Sequence, residues 1–363
     1  MGGAGAPAQE SGVDEVCTAA VAPAALERAR VAYAAAAGSA EGSLRVERKG
    51  AAGKAASLSS AGGDASAEDV AAARVHVSFG SSGQAGGCEF DTSAYFATLQ
   101  QSGDGAPRIG AVCHYAAVVP STQPIIYNNM GAFVDGAVVV ADVQRSGVGR
   151  GGNAWTSPRG CLCATFVTEW HDGATLPHVQ YVISLAVIRA LRTLTSRDLG
   201  VRIKWPNDLY AGKHKIGGVL CQSTYAGGTF RVAIGFGVNV SNEEPTTCVN
   251  ALLREATGGE SDAPLLSREA LLAATLREYE SLEARMRERG FQALEDEYTA
   301  SWLHTNQRVT LLEAGSSLRM VIKGLTPGGY LLAEDASGER YELHPDGNSL
   351  DFFQGLVRKK FYR

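Results

Sequence analysis

The chain has 363 residues, enough for two or three domains, and its 45% hydrophobic and 20% charged residues are ordinary for a globular protein. A formal net charge of -5 argues against a nucleic-acid or membrane-surface partner, because both reward a basic face. No apolar run reaches the roughly 20 residues of a membrane span; the longest, from Val182 to Leu191, is cut by Ser184 and Arg189.

Residues 1 to 88 are rich in Ala, Gly and Ser, and Leu, Ile, Val and Phe supply only 12 of these 88 residues. So little apolar surface does not offset the entropy of ordering a chain, so a disordered N-terminal extension is expected. Ala24 to Ala37 has the composition of one short helix, without the companions that a DNA-binding winged helix needs. The segment lacks a secretory signal, carries Ala6 where N-myristoylation wants Ser or Thr, and has early acidic residues unlike a transit peptide.

From Phe90 the texture changes. Ala137 to Ala141 is a continuous apolar run suited to a strand buried on both faces. A glycine-rich loop is expected from Ser146 to Asn153, then a strand from Gly160 to Val167. That strand would carry Cys161 and Cys163 on one side as buried free thiols; seven scattered cysteines fit a reducing compartment. Pro177 to Thr195 has helical periodicity, and Val201 to Trp205 alternates like a strand ending at Pro206. Lys215 to Gln222 and Phe230 to Val240 are further strands. Ser267 to Arg289 is a long helix with Ser267 as N-cap and Gly290 beyond its end, followed by a helix from about Phe291 to Leu303. Four short strands then follow, Gln307 to Glu313, Leu318 to Leu325, Gly329 to Asp335 and Glu339 to Leu343, a pattern fitting a small β-barrel.

Five segments carry chemistry. Gln144 to Gly160 clusters Gly147, Gly149, Gly151 and Gly152 around Arg150; such glycines let backbone N–H groups approach an anion, and a guanidinium can fork onto a carboxylate or phosphate. Lys204-Trp-Pro-Asn207-Asp208 reads as a turn after a strand. Lys215-Ile-Gly-Gly218-Val-Leu220 opens a strand, where Lys215 taken alone is a surface residue. Gly235-Phe-Gly237-Val-Asn239 pairs glycines in a strand, a mark of close backbone approach by a ligand or of a bulge. Ser121-Thr122-Gln123 could read a polar ring, or be a plain turn.

Together, and in this order, the five resemble the biotin protein ligase family, most closely its eukaryotic branch, the holocarboxylase synthetases; His344-Pro-Asp-Gly-Asn348-Ser349 is similar to that branch as well. The resemblance runs from Phe90 to the C-terminus. It implies an α/β (α+β) fold: a mixed sheet flanked by helices, of the class II synthetase-like kind, at 89–304, and a small SH3-like barrel at 305–363, after the extension at 1–88. It implies that biotin and ATP, with Mg²⁺, form biotinyl-5′-AMP, and that a lysine on the carrier domain of a biotin-dependent carboxylase then takes the biotin. By position, Ser121, Thr122, Gln123, Gln144, Gly147, Gly149, Arg150, Lys215, Gly218 and Leu220 would hold biotin. Gly149, Arg150, Trp155, Lys204, Asn207 and Asn239 would hold ATP, and Arg150, Lys204 and Lys215 would be catalytic. Val148 departs from the family, standing where many members carry a basic residue.

The competing readings are a lipoate or octanoate ligase on the same fold, a biotin-responsive repressor, and a non-catalytic biotin-binding module. The first would not bring the GRGGN and KWPND segments, the second lacks its winged helix, and the third does not need Arg150, Lys204 and Lys215. A cytoplasmic enzyme is expected, with an organelle as the alternative; the subunit number is not encoded legibly.

Overall fold

The computed structural model describes residues 16–20, 77–79, 89–102, 105–258, 265–313, 316–345, 348–351 and 354–359. Its larger sheet contains, in chain order, β1 (Val16–Ala20), β2 (Val77–Phe79), β3 (Val112–Val119), β4 (Val138–Val148), β5 (Ala154–Ser157), β6 (Cys161–Trp170), β7 (Val201–Lys204), β8 (Asp208–Ala211), β9 (His214–Ala226) and β10 (Thr229–Asn239). The spatial order is β2-β1-β3-β4-β6-β10-β9-β8-β7, with β5 paired to β4. β3 and β4 run parallel and the strands from β4 to β7 are antiparallel to their neighbours, so the sheet is mixed as expected.

Side-chain alternation places the core. In β4, Val138 and Val140 pack into the large apolar cluster on one face, while Val139 and Ala141 enter a smaller cluster on the other. Burying each valine contributes about 1.5–3 kcal/mol. The large cluster is roofed by α1 (Thr92–Gln101), α3 (Val179–Thr195) and α5 (Arg268–Arg289), and α2 (Thr122–Tyr127) covers part of the opposite face with Ile125 and Ile126. α4 (Val249–Ala256) and α6 (Gln292–Ala300) complete the α-helices among the described residues. α5 begins where expected, because Ser267 Oγ accepts the Ala270 N–H at 3.1 Å, and ends at Gly290 (φ +73°), whose N–H closes the last turn on the Met286 carbonyl at 2.8 Å. Arg268 reaches back to Asp142 of β4 at 2.7 Å, a buried ion pair that ties the helix layer to the central strand.

The C-terminal sheet has six strands: β11 (Arg308–Glu313), β12 (Ser316–Leu325), β13 (Leu331–Asp335), β14 (Arg340–Leu343), β15 (Asn348–Asp351) and β16 (Leu356–Lys359). The last two escape the sequence reading, which had expected four. They close on β11 through a parallel pairing with β16, a contact between residues some 46 apart that no local pattern announces. β7 pairs with the segment that leads from α6 into the second sheet. Ile203 N–H donates to the Ser301 carbonyl and Leu303 N–H to the Ile203 carbonyl, both at 2.9 Å. His304 Nε2 continues this ladder by accepting the Trp205 N–H at 2.9 Å.

Three other expectations change. Ser146 to Asn153 is not wholly a loop: β4 continues to Val148 and pairs with β5, leaving a short 3₁₀ turn at Arg150–Gly152. Ser121-Thr122-Gln123 is not a lone turn but the start of α2. Within the extension expected to be disordered, Val16–Ala20 and Val77–Phe79 are strands, β1 pairing antiparallel with β3 and parallel with β2. Edge pairing needs backbone groups rather than a large apolar face, so composition understates it. The helix expected at Ala24 to Ala37 lies outside the described residues, as does the rest of 1–88.

Candidate active site

The face of the large sheet opposite its main core holds a cavity of about 520 Å³. Its walls come from α2, the end of β4 with the following turn, β5, β6, β8, β9 and β10. The five segments marked in the sequence all contribute to it: Ser121, Thr122 and Gln123; Gln144, Gly149, Arg150 and Trp155; Asn207; Lys215, Gly218 and Leu220; and Gly235 and Gly237.

Gln144 is the hub of one end. Its Oε1 accepts from the Thr122 N–H at 2.8 Å and from the Ser121 and Thr122 hydroxyls at 3.2 Å each, while its Nε2 donates to Ser157 Oγ at 2.7 Å. These bonds fix which end of the amide is acceptor and which is donor. Thr165, fully buried in β6, extends the network to Thr122 Oγ1 at 2.8 Å and to Gln123 Oε1 at 3.3 Å. Gln123 Nε2 donates to Gln222 Oε1 at 3.1 Å and to the Ala233 carbonyl at 3.3 Å. The result is a preorganised polar cluster against an apolar sheet, where each hydrogen bond is strengthened by the low local dielectric.

The glycines of β10 make room for this wall. A Cβ at Gly235 would stand 2.3 Å from Gln123 Oε1, and one at Gly237 would stand 2.5 Å from Trp155 Nε1. The paired glycines were expected to admit a ligand or to mark a bulge; the groups that approach them are instead the chain's own Gln123 and Trp155. β10 pairs in regular register with both β6 and β9 here, so the alternative of a bulge fails.

Charge gathers at the other end. Lys215 Nζ lies 2.6 Å from Asp208 Oδ1 and 5.5 Å from the centre of the Trp155 ring. A lysine held by one carboxylate and one aromatic face is fixed in direction. Its backbone is braced as well: Thr246 Oγ1 donates to the Lys215 carbonyl at 2.7 Å, and Asn239 Nδ2 donates to Thr246 Oγ1 at 3.3 Å. Asn207 closes the KWPND turn onto β9, its Nδ2 donating to the Val219 carbonyl at 2.7 Å. Arg150 Nη2 donates to the Pro345 carbonyl at 2.6 Å. Under the floor, Cys161 and Cys163 are free, buried and 3.5 Å apart, side by side on β6 as expected; their mutual bond and burial push the Cys161 thiol well up.

Three marked residues lie outside the cavity wall. Gly147 supports it from behind, pairing with Trp155 across β4 and β5. Lys204 ends β7 with its Nζ 5.3 Å from the Tyr210 ring. Asn239 is buried and engaged with Thr246, Thr247 and Asn242. The sequence does not single out Thr165 and gives Asp208 no role. A signal existed for each: a lone threonine of the same parity as Cys161 and Cys163 in an apolar strand, and a carboxylate closing a motif that begins with lysine. Val148 is in the wall and 43% exposed, an apolar group at the mouth of a polar cavity.

Comparison with known proteins places this geometry. The sequence profile of the Biotin/lipoate A/B protein ligase family matches residues 115–239. Biotin–protein ligase 2 of Arabidopsis thaliana is 41% identical over 278 residues, covering 74% of this chain and 84% of the plant protein. The human biotin–protein ligase is 35% identical over 70% of this chain and 36% of its own length. Among solved structures, the biotin protein ligase of Aquifex aeolicus in complex with biotin and ATP aligns with a TM-score of 0.51 and 25% identity, over 64% of this chain and 94% of that one.

Proposed function

The chain belongs to the biotin protein ligase family, in its eukaryotic-like branch, and we propose how its residues carry out the ATP-dependent attachment of biotin to protein. Biotin and ATP are the substrates. The observation that carries the assignment of roles is the convergence of the five marked segments on one cavity, polar and hydrogen-bonded at one end and cationic at the other.

In this reading the Ser121, Thr122, Gln123 and Gln144 cluster receives the ureido ring, whose carbonyl and N–H groups need matched donors and acceptors. Gly218 and Leu220 line the path of the side chain, and Lys215 meets the carboxylate end. The carboxylate oxygen attacks the α-phosphorus of ATP, forming biotinyl-5′-AMP as pyrophosphate leaves. Lys215 and Arg150 stabilise the negative charge that gathers at that centre, the largest contribution such a site makes. Gly149 supplies a small backbone turn beside the phosphate, and Trp155 and Asn207 shape the nucleotide side. Lys204, Gly147 and Asn239 act from behind the wall: Lys204 as a nearby charge, Gly147 as the seat of Trp155, and Asn239 through Thr246 on the backbone of Lys215. Magnesium accompanying ATP would be held mainly by phosphates and water, with Asp208 supplying a carboxylate in the wall.

In the second step a lysine amine attacks the acyl carbon of the mixed anhydride, an amide forms, and AMP leaves. The acceptor is the carrier domain of a biotin-dependent carboxylase. In this reading the catalytic unit occupies 89–304 and a smaller barrel 305–363, after an N-terminal extension at 1–88. Buried free thiols support action in a reducing compartment such as the cytoplasm. Among the described residues no helix is long and apolar enough to cross a membrane.

Pyrophosphate release measured with biotin and with lipoate tests the reading. Release that depends on biotin, followed by one biotin per carrier domain, is the expected result. Release driven by lipoate alone would overturn it.

A further inference from the structure

His344 and Pro345 stand outside the cavity wall, yet they reach the site. The Pro345 carbonyl accepts from Arg150 Nη2 at 2.6 Å, joining the turn after β4 to the C-terminal sheet 195 residues later. The turn that carries this carbonyl is braced from its own side: the His344 imidazole stacks on the Tyr330 ring, with centroids 3.8 Å apart and planes inclined by 26°.

Tyr330 is itself anchored. Thr326 N–H donates to the Tyr330 carbonyl at 2.8 Å, and Tyr330 N–H donates to Thr326 Oγ1 at 3.2 Å. One residue earlier, the Gly329 carbonyl accepts from the Tyr181 hydroxyl and from Trp205 Nε1, the latter at 3.3 Å. Trp205 Nε1 also donates to the Tyr181 oxygen at 2.9 Å. The C-terminal sheet is therefore bolted to α3 and to the residue after Lys204, and from that fixed position it holds Arg150.

The chemistry of the holding group matters. A carbonyl fixes a guanidinium without cancelling its charge, whereas a carboxylate would neutralise it. A rigid planar fork held in this way stays fit to grip a phosphate. The bond also sets how often the turn stands closed. A hydrogen bond to a charged group contributes a factor on the order of 10 to 100 to such an equilibrium.

We propose that His344 is a positioning residue: the His344–Pro345 turn latches Arg150 across the mouth of the cavity, and this latch retains the acyl-adenylate until an acceptor lysine arrives. The inference rests on the ligase reading above and adds a device to it. Loosening the latch then raises escape of the intermediate more than it slows attack on phosphorus, because Lys215 still serves the reacting centre and Arg150 is loosened rather than removed.

The test uses the full chain and three substitutions: His344→Ala and Tyr330→Ala, which remove the stack, and His344→Phe, which restores a flat ring. Three quantities are read: adenylate formation in a single turnover, adenylate dissociation after a chase, and biotin incorporated into a bystander protein without a carrier domain. Dissociation and bystander labelling should rise about tenfold in both alanine variants, while adenylate formation changes little, and His344→Phe should restore retention. Combining His344→Ala with Arg150→Lys should add less than the product of the two single effects, because both break one latch. If His344→Ala and Tyr330→Ala keep a normal melting temperature and unaltered dissociation, the latch is overturned. Multiplicative effects in the double variant, or equal losses in formation and retention, overturn it too. An unaltered chain that releases no pyrophosphate with biotin and ATP would overturn the ligase reading and the latch with it. Intact release with unchanged retention overturns the latch alone.

Discussion

The two faces of β10 obey opposite rules. Toward the helices, Val232, Ile234, Phe236 and Val238 fill the main core, none more than 5% exposed. Toward the cavity, the intervening positions are Ala233, Gly235 and Gly237, nothing larger than a methyl group, with Gln123 and Trp155 lying over them. β6 repeats the division: Leu162, Ala164 and Phe166 pack into the core, while Thr165 on the other face joins the wall of the cavity. Bulk on one face makes the sheet stable, and removal of bulk on the other makes it useful. Because strands alternate strictly, the parity of a residue number decides which task a side chain serves.

The sharpest way to break this comparison is to remove bulk from the core face. Ile234→Ala should cost about 2–5 kcal/mol of unfolding free energy, read from denaturant titration, because it leaves a cavity in a packed core. Activity per folded molecule should stay close to that of the unaltered chain. A large fall in activity at full stability would show that the faces are not independent.

Next comes the site side. Lys215→Ala should lower the rate of adenylate formation ~10²- to 10³-fold, as loss of one charge-stabilising donor does. Its melting temperature should hardly move, since Lys215 is partly exposed and its bond to Asp208 is at the cavity surface. Unchanged turnover would reduce Lys215 to a surface residue.

The boundary between core and site can be tested at His304, where β7 meets the C-terminal segment. Burial, together with the nearby Lys204 charge, lowers its pKa from 6.5 to about 4. The unfolded chain therefore takes up this proton first as pH falls. Stability from the neutral imidazole is whole above about pH 6.5 and is lost between 6.5 and 4. Moving from about pH 7.5 to pH 5 should cost about 2 kcal/mol through this residue. His114, lowered to about 3 by burial, adds loss in the same direction. His304→Gln should remove the His304 part of the acid sensitivity while the amide still accepts the Trp205 N–H. Urea unfolding at the two pH values decides, and an identical pH dependence in the variant would exclude His304 as its source.

The smallest effect is the most specific. Gly235→Ala adds one methyl group on the cavity face, where it must displace Gln123 Oε1. Biotin KM should rise about tenfold, the effect of spoiling one hydrogen bond in a fixed polar cluster. ATP KM should stay as it was, and a rise in both would point to a general distortion of the sheet.

Much of the site was legible before any coordinates. The five segments that carry the resemblance line one cavity, and the apolar run at Ala137 to Ala141 announced a strand buried on both faces. Ser267 and Gly290 marked the ends of α5, because capping is a matter of a few adjacent backbone groups. Thr165 was harder, since a threonine in a strand earns notice only when its partners, Thr122 and Gln123, are known to lie across from it. β15 and β16 were missed for a related reason: their stability comes from pairing with a distant strand rather than from their own pattern.

The amino-acid sequence by itself carried the resemblance that names the family and its chemistry, and it marked β4, β6, β9, β10, α3 and α5. These depend on spacing, on parity and on residue types whose reach is a turn or two of chain. Only the tertiary structure decided that the glycines of β10 make room for Gln123 and Trp155, that Thr246 bonds to the Lys215 carbonyl, and that Arg150 is held by Pro345. Each of these joins residues far apart in the chain, and a hydrogen bond between distant groups exists only once packing has brought both to within about 3 Å and excluded water from between them.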